Sequence, residues 1–135
     1  MDIAESVQAL LNSHERVVEE FYGRFLDRHP DLRHHFESRD LSIQASIVTM
    51  ALVSVEGYYS SQLPATKHYL RVLGHRHFHN GIRREDFPKF RDVLLETLKD
   101  FHAQDWDDKL HHQWHLAIDE AVEVMLEGYT KTYTF

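Results

Sequence analysis

A chain of 135 residues without cysteine can bury one core, but it can form no disulfide, no cysteine-ligated zinc site and no iron–sulfur cluster. Its formal charge of −7 argues against a nucleic-acid binder, which would carry a basic face. With 5 glycines and 3 prolines there is little room for hairpins, and most of the 12 histidines must be solvated, because a core this small cannot hold so many imidazoles.

Residues 2–11 read as a short amphipathic helix with Ile3, Val7, Leu10 and Leu11 inward. Asn12-Ser13 interrupts the pattern, and Ser13 is placed to cap a second helix with Glu15 in its first turn. That helix runs to about Arg28 and carries a broad apolar face of Val17, Val18, Phe21, Tyr22, Phe25 and Leu26. His29-Pro30 breaks it, since the residue before a proline avoids helical angles, and Pro30 can open a short helical stretch over 31–36. Residues 37–40 are a polar loop.

A third long helix spans 41–58, and Ile43, Ile47, Val48, Met50, Ala51, Leu52, Val53 and Val55 leave its middle almost no polar face. Such a helix is expected to be covered on both sides, so something substantial must cover its second face. Residues 60–64 form a loop before a helix that runs through Tyr69, Leu70 and Leu73 to Asn80-Gly81, where the left-handed conformation is tolerated and a helix can close. Asp86-Phe87-Pro88 opens the next, with Phe87, Phe90, Leu94, Leu98 and Phe101 at steps of three and four. Asp105 is the expected N-cap of the last helix, which turns Leu110, Trp114, Ile118, Ala121, Met125 and Tyr129 inward. The expectation is a single all-α domain over 1–135, with six main helices and one short one. No signal-like N-terminus, basic tail or long apolar run is evident, which predicts a soluble, cytoplasmic protein that engages neither membrane nor nucleic acid.

Among the histidines, His77 shares a helical face with Leu70 and Leu73. An imidazole on an apolar stripe needs a partner, because an unpaired buried polar group is costly. It either bonds to a nearby carbonyl as a core histidine or ligates a metal or haem iron. His111 and His115, four apart on the last helix, could share a metal ion, but a solvated face is the simpler account because no third ligand stands near them in sequence.

Four pieces, in order, resemble the globin family, and nearest to bacterial single-domain haemoglobins and the haem domain of flavohaemoglobins. They are Phe21 to Leu26 followed by His29-Pro30-Asp31-Leu32 and Phe36; Gln44 at the head of the apolar helix; Leu63-Pro64-Ala65 leading through Gly74 and His77 to Gly81-Ile82; and Phe87-Pro88 followed by a final helix bearing Trp114. The resemblance covers nearly the whole chain. It implies the globin fold, a 3-on-3 helical sandwich with a haem pocket, here with a short first helix. It implies haem b (iron protoporphyrin IX) as cofactor, ligated through one ring nitrogen of His77, with the other ring N–H donated to the Leu73 carbonyl or to a side chain. Phe36 would stack on the porphyrin, Ile82 would touch its edge, and Val48, one turn after Gln44, would face the iron from the distal side. The bland account of Phe36 and Val48 is ordinary core. Gln44 falls near the family's distal position, with Ala45 as the alternative, since the loop before this helix is shorter than in the relatives. Tyr22 matches the tyrosine that bacterial haemoglobins point at bound gas. Arg76, Arg71, His75 and His79 are equal candidates for the haem propionates.

Two departures from the family stand out. Flavohaemoglobins pair a tyrosine and a glutamate with the proximal histidine; Phe87 stands at the first position and Tyr129 at the second, with Glu127 two residues away. The sequence ends at Phe135, so the expectation is that no flavin or nicotinamide domain follows. The implied function is reversible binding of O2, NO or CO for oxygen binding, transport or sensing. The alternatives are nitric oxide dioxygenation with a separate reductase and a haem-free interaction module of globin shape. A reductase, a signalling domain and a second copy of the chain are the partners such a role admits.

Overall fold

The structure, a computed structural model, describes residues 1–36 and 40–130, so the expected polar loop lies almost wholly outside the described residues. Among those residues the chain forms six α-helices, three short 3-10 turns and no strand. Helix α1 (Ile3–Leu11) opens on a capping box, in which the Asp2 carboxylate accepts the Glu5 N–H and the Glu5 carboxylate accepts the Asp2 N–H. Helix α2 (His14–Arg28) stops at His29, and Pro30 opens the 3-10 segment Pro30–His35. Ser13 occupies the N-cap position of α2 without a side-chain hydrogen bond to the helix.

Helix α3 (Leu41–Ser61) is capped by Asp40, whose carboxylate accepts the Ile43 N–H at 3.0 Å. It runs on past the expected end at Tyr58, because the chain leaves helical angles only at Gln62, φ 53°. Pro64 then opens α4 (Pro64–His79) as its first residue. Gly81, at φ 85°, supplies the left-handed turn after α4, and the Ile82 N–H folds back onto the His77 carbonyl at 3.0 Å. A 3-10 turn (Arg84–Asp86) leads into α5 (Phe87–His102). The expected N-cap of the last helix is corrected: Asp105 ends a 3-10 turn (Ala103–Asp105) that reverses the chain, and Asp107 caps α6 (Asp108–Glu127) by accepting the Leu110 N–H at 2.8 Å.

The helices form two layers, α1, α3 and α4 on one side and α2, α5 and α6 on the other, crossing mainly where α2 meets α3 and where α6 meets α3 and α4. This is an all-α globin fold. The α4–α6 crossing is close enough to demand glycine twice. A Cβ on Gly74 would stand 1.9 Å from the Met125 carbonyl oxygen, and one on Gly128 would stand 2.1 Å from the Arg71 carbonyl oxygen.

Two apolar clusters fill the interior. One joins α1, α3, α4, α5 and α6 around Leu70, Leu98, Leu110 and Trp114; the other joins α2, α3 and α5 around Val18, Phe21, Phe25, Ala45 and Val93. Val48, Phe90 and Leu94, each only partly buried, pack against both clusters.

Protein side chains cover α3 on one side only. Its inward side (Ala45, Thr49, Leu52, Val55, Tyr58) is buried, Gln44 and Val48 are half-buried, and Ile43, Ile47 and Met50 are exposed along its outer side. Apolar composition sets how costly exposure is, not whether a neighbour is there to cover each side. By length and composition α3 is also long and apolar enough to cross a membrane, which corrects the expectation that no such run exists. In this fold its inner side is packed against four neighbouring helices.

Candidate functional site

Helix α4 carries the candidate ligand, His77. His77 lies one turn beyond Leu73, and its Nδ1 stands 2.8 Å from the Leu73 carbonyl oxygen. A carbonyl can only accept, so Nδ1 carries the proton and Nε2 keeps a lone pair. Burial holds the His77 pKa below the usual histidine value, against the opposing pull of the Leu73 carbonyl, so the ring is neutral near pH 7. Phe87, opening α5, stacks on the imidazole with ring centroids 6.2 Å apart and planes 25° from parallel.

Three further elements bring a second group of candidate residues together. Tyr22 comes from α2, Phe36 from the end of the 3-10 segment, and Gln44 from the first turns of α3. The Gln44 amide donates to the Tyr22 hydroxyl at 2.8 Å. Phe36 packs on the Tyr22 ring at 5.0 Å and also meets Phe25 and Phe90 edge-on. Of the two residues considered for the head of α3, it is Gln44 that reaches Tyr22; Ala45 is fully buried among Val18, Phe21 and Phe25. Val48, one turn on, is half-buried beside Phe90 and Leu94. These last two residues read in sequence as plain core. The steps of three and four that mark an inward face carry no sign that these two residues stay half-buried between the clusters.

Beyond His77 the chain is held by backbone contacts. Ile82 is buried, and its carbonyl accepts the Tyr129 hydroxyl proton at 2.8 Å. Burial, aided by the Asp86 carboxylate and opposed by Arg84, pushes the Tyr129 pKa up to about 12, so the phenol stays a donor. Glu127 pairs with Arg71 at 3.4 Å. Neither Tyr129 nor Glu127 is therefore directed at His77, and Phe87 has no polar atom to offer.

The four basic residues considered for propionates separate. Arg71 is taken by Glu127, and the His75 Nδ1 lies 3.2 Å from the Gly128 carbonyl. His79 sits on His75 with ring centroids 4.4 Å apart, and Arg76 is exposed on the surface. Asp86 was not anticipated. It is fully buried at the turn before α5, where it accepts the Arg83 N–H at 2.9 Å and pairs with Lys89 at 3.3 Å. No local sequence signal distinguishes it from an ordinary N-cap.

The globin family model matches residues 19–125. The chain belongs to the globin family. Its fold is similar to that of a bacterial globin from Campylobacter jejuni, with a TM-score of 0.80, 18% identity, and coverage of 94% of this chain and 91% of that one. It is also 28% identical over 97 residues to a Casuarina glauca protein named anaerobic nitrite reductase HBII, a match covering 72% of this chain and 56% of that relative. The chain thus spans little more than half the length of that relative.

Globins bind gases through haem, and the residues of this globin fit that group. A flat, largely apolar disc needs a neutral imidazole with a lone pair to spare and apolar walls that the protein leaves partly uncovered. His77 supplies the first through its bond to Leu73; half-buried Phe36, Val48, Leu73, Phe90 and Leu94 supply the second. Among the described residues no group of three or more His, Asp or Glu side chains is placed to hold a metal ion by itself.

Proposed function

We propose that this globin binds haem b through His77 and takes up a small diatomic gas, O2 foremost, reversibly beside Tyr22 and Gln44. The observation that carries the reading is the state of His77, a neutral imidazole whose Nδ1–H is committed to the Leu73 carbonyl at 2.8 Å and whose Nε2 is left as a donor. Haem, when bound, would supply an iron centre that accepts an imidazole nitrogen and a small gas molecule. The Leu73 carbonyl fixes the tautomer and the orientation of the His77 ring, as partners of ligating histidines do. Phe87 limits rotation of that ring by stacking on it. Phe36 and Val48 exclude water from an apolar cleft. Tyr22 donates its phenolic proton to the gas, and Gln44, by donating to the same hydroxyl, holds the phenol in place.

The alternatives are enzymatic turnover, whether nitric oxide dioxygenation with a separate reductase or the nitrite reduction in the Casuarina relative's name, and a haem-free module. Against the enzymatic readings stands the chemistry around His77, where Phe87 is apolar, the Tyr129 proton goes to Ile82 and Glu127 goes to Arg71.

Absorption spectra of haem-reconstituted variants test the assignment. In His77→Ala most haem should be lost, or retained with a shifted Soret band from a changed axial ligand. His75→Ala and His79→Ala should leave the band in place. Loss of haem in His75→Ala with retention in His77→Ala would sink the reading.

A further inference from the structure

We propose that the outer face of α6 carries a metal site independent of the haem pocket, in which His111 and His115 together take a late first-row divalent cation such as Zn2+. The two residues are four apart and so share one helical face. Their ring centroids lie 6.2 Å apart with planes 36° from parallel. Two imidazoles on one tetrahedral ion, with metal–nitrogen bonds of about 2.0–2.1 Å, bring their centroids to about 5 Å. Closing the difference takes a shift of about 1 Å in two surface side chains, within the range of the broad imidazole torsion.

What separates this pair from a merely solvated one is its support. The His115 Nδ1 lies 3.1 Å from a carboxylate oxygen of Asp119, one turn further along the helix. A carboxylate accepts, so in the neutral ring Nδ1 bears the proton and Nε2 keeps the lone pair. The Asp119 contact thus leaves the His115 Nε2 as the nitrogen available to a metal. The other oxygen of Asp119 is held by Arg91 at 3.4 Å, which ties the carboxylate to α5. His111 in turn packs edge-on against Trp106 at 5.8 Å, and Trp106 stacks on the buried His102 ring. A carboxylate hydrogen-bonded to the far nitrogen of a ligating histidine is the usual device for fixing such a ligand. The site offers two protein nitrogens, and water completes the coordination. Imidazole donors select Zn2+, Cu2+ or Ni2+ over Mg2+ and Ca2+, which prefer oxygen.

His75 and His79 on α4 are also one turn apart, with ring centroids at 4.4 Å, and the His75 Nδ1 faces the Gly128 carbonyl, but this pair brackets His77 on the helix that carries the proposed haem ligand. They serve as the control. Calorimetric titration of the tag-free, haem-loaded chain with zinc chloride should show one Zn2+ per chain in the micromolar range, with no heat from Mg2+. His111→Ala and His115→Ala should each weaken binding at least tenfold, and Asp119→Ala about tenfold to a hundredfold. All three should leave the Soret band unchanged, since none of the three residues lies on α4, which carries His77. Absence of Zn2+ binding, unchanged affinity in His115→Ala, or a loss that appears in His79→Ala instead would overturn the proposal.

Discussion

At Tyr22 the phenol oxygen accepts the Gln44 amide at 2.8 Å, so two polar side chains in an otherwise aromatic corner hold each other's orientation. Removing the hydroxyl in Tyr22→Phe deletes a donor to bound gas and leaves the Gln44 amide without its partner. A hydrogen bond of this kind in a closed site is worth about 1–3 kcal/mol, or roughly tenfold to a hundredfold in affinity. The loss should appear in flash photolysis as faster O2 release, with CO, which carries less negative charge, affected less. Unchanged O2 release would mean that the phenol points elsewhere and that Gln44 does the holding. On the other side of the pocket, His77 donates only to a neutral backbone carbonyl. An imidazole hydrogen-bonded to a carboxylate gains basicity and donates more electron density to a metal; one bonded to a carbonyl gains less. The ferrous, ligand-free protein should therefore show an iron–histidine stretch in the low range of oxygen-carrying globins by resonance Raman. A distinctly higher frequency would show that a carboxylate reaches His77 and would favour the enzymatic readings.

Helices α4 and α6 cross so closely that Gly74 and Gly128 each lie against the other helix's backbone. Neither approach can be relieved by moving a side chain, because the opposing atoms are backbone carbonyls. Gly74→Ala should therefore separate the two helices and cost about 3 kcal/mol, the upper end of overpacking penalties. Because α4 carries His77, haem should also dissociate faster from this variant. Gly57, inside α3, is the comparison, since a Cβ there meets nothing within 4 Å. Gly57→Ala should gain about 0.5–1 kcal/mol from helix propensity alone. Urea unfolding of the two variants would fail this account if their effects had the same sign. The helices themselves were legible in the sequence, because Val17 to Leu26, Leu70 to His77 and Phe87 to Phe101 repeat at helical spacing. The resemblance to globins singled out Tyr22, Gln44 and His77, and the structure pairs the first two by a hydrogen bond. The crossing was not, since a glycine within a helical pattern does not name the backbone it must admit. Nor were the ends of α3 and α5, where Gln62 and Ala103 take positive φ without being glycine. The exposed outer side of α3 escaped for a further reason: apolar residues record a preference for burial, and only the packed chain decides which of them obtain it.

Over the whole molecule, one buried polar network far from His77 links three helices that the apolar clusters alone would join without fixing their register. Ser6 of α1 accepts the Trp114 indole N–H of α6 at 2.9 Å, and its hydroxyl lies 2.6 Å from the Nε2 of His102 on α5. An indole N–H can only donate, so Trp114 takes one lone pair of Ser6, and in the tautomer of His102 that carries its proton on Nδ1 the Nε2 accepts the Ser6 proton. In that tautomer the network is complete only while His102 is neutral. Burial holds the His102 pKa below the usual histidine value, and Asp105 in the adjoining turn pulls the other way without reversing it. Around the ring, Ser6 and Trp114 come from α1 and α6, while Phe101 and Trp106 flank it as uncharged aromatics. A group whose pKa is depressed on folding contributes stability that is present above its unfolded value, about 6.5 for histidine. That stability is lost as pH falls through the folded value. Once protonated, His102 would turn a second donor toward Ser6 and leave the hydroxyl proton with no acceptor in a buried site. The unfolding free energy of the wild type should therefore fall between pH 7 and 5 more steeply than that of His102→Gln, in which the titrating group is gone and the other histidines remain. At pH 7, Ser6→Ala should cost about 1–3 kcal/mol, because it strands the Trp114 N–H without an acceptor. Equal pH slopes for wild type and His102→Gln in urea unfolding would show that acid stability is set elsewhere, and the three-helix network would then be packing without a proton to lose.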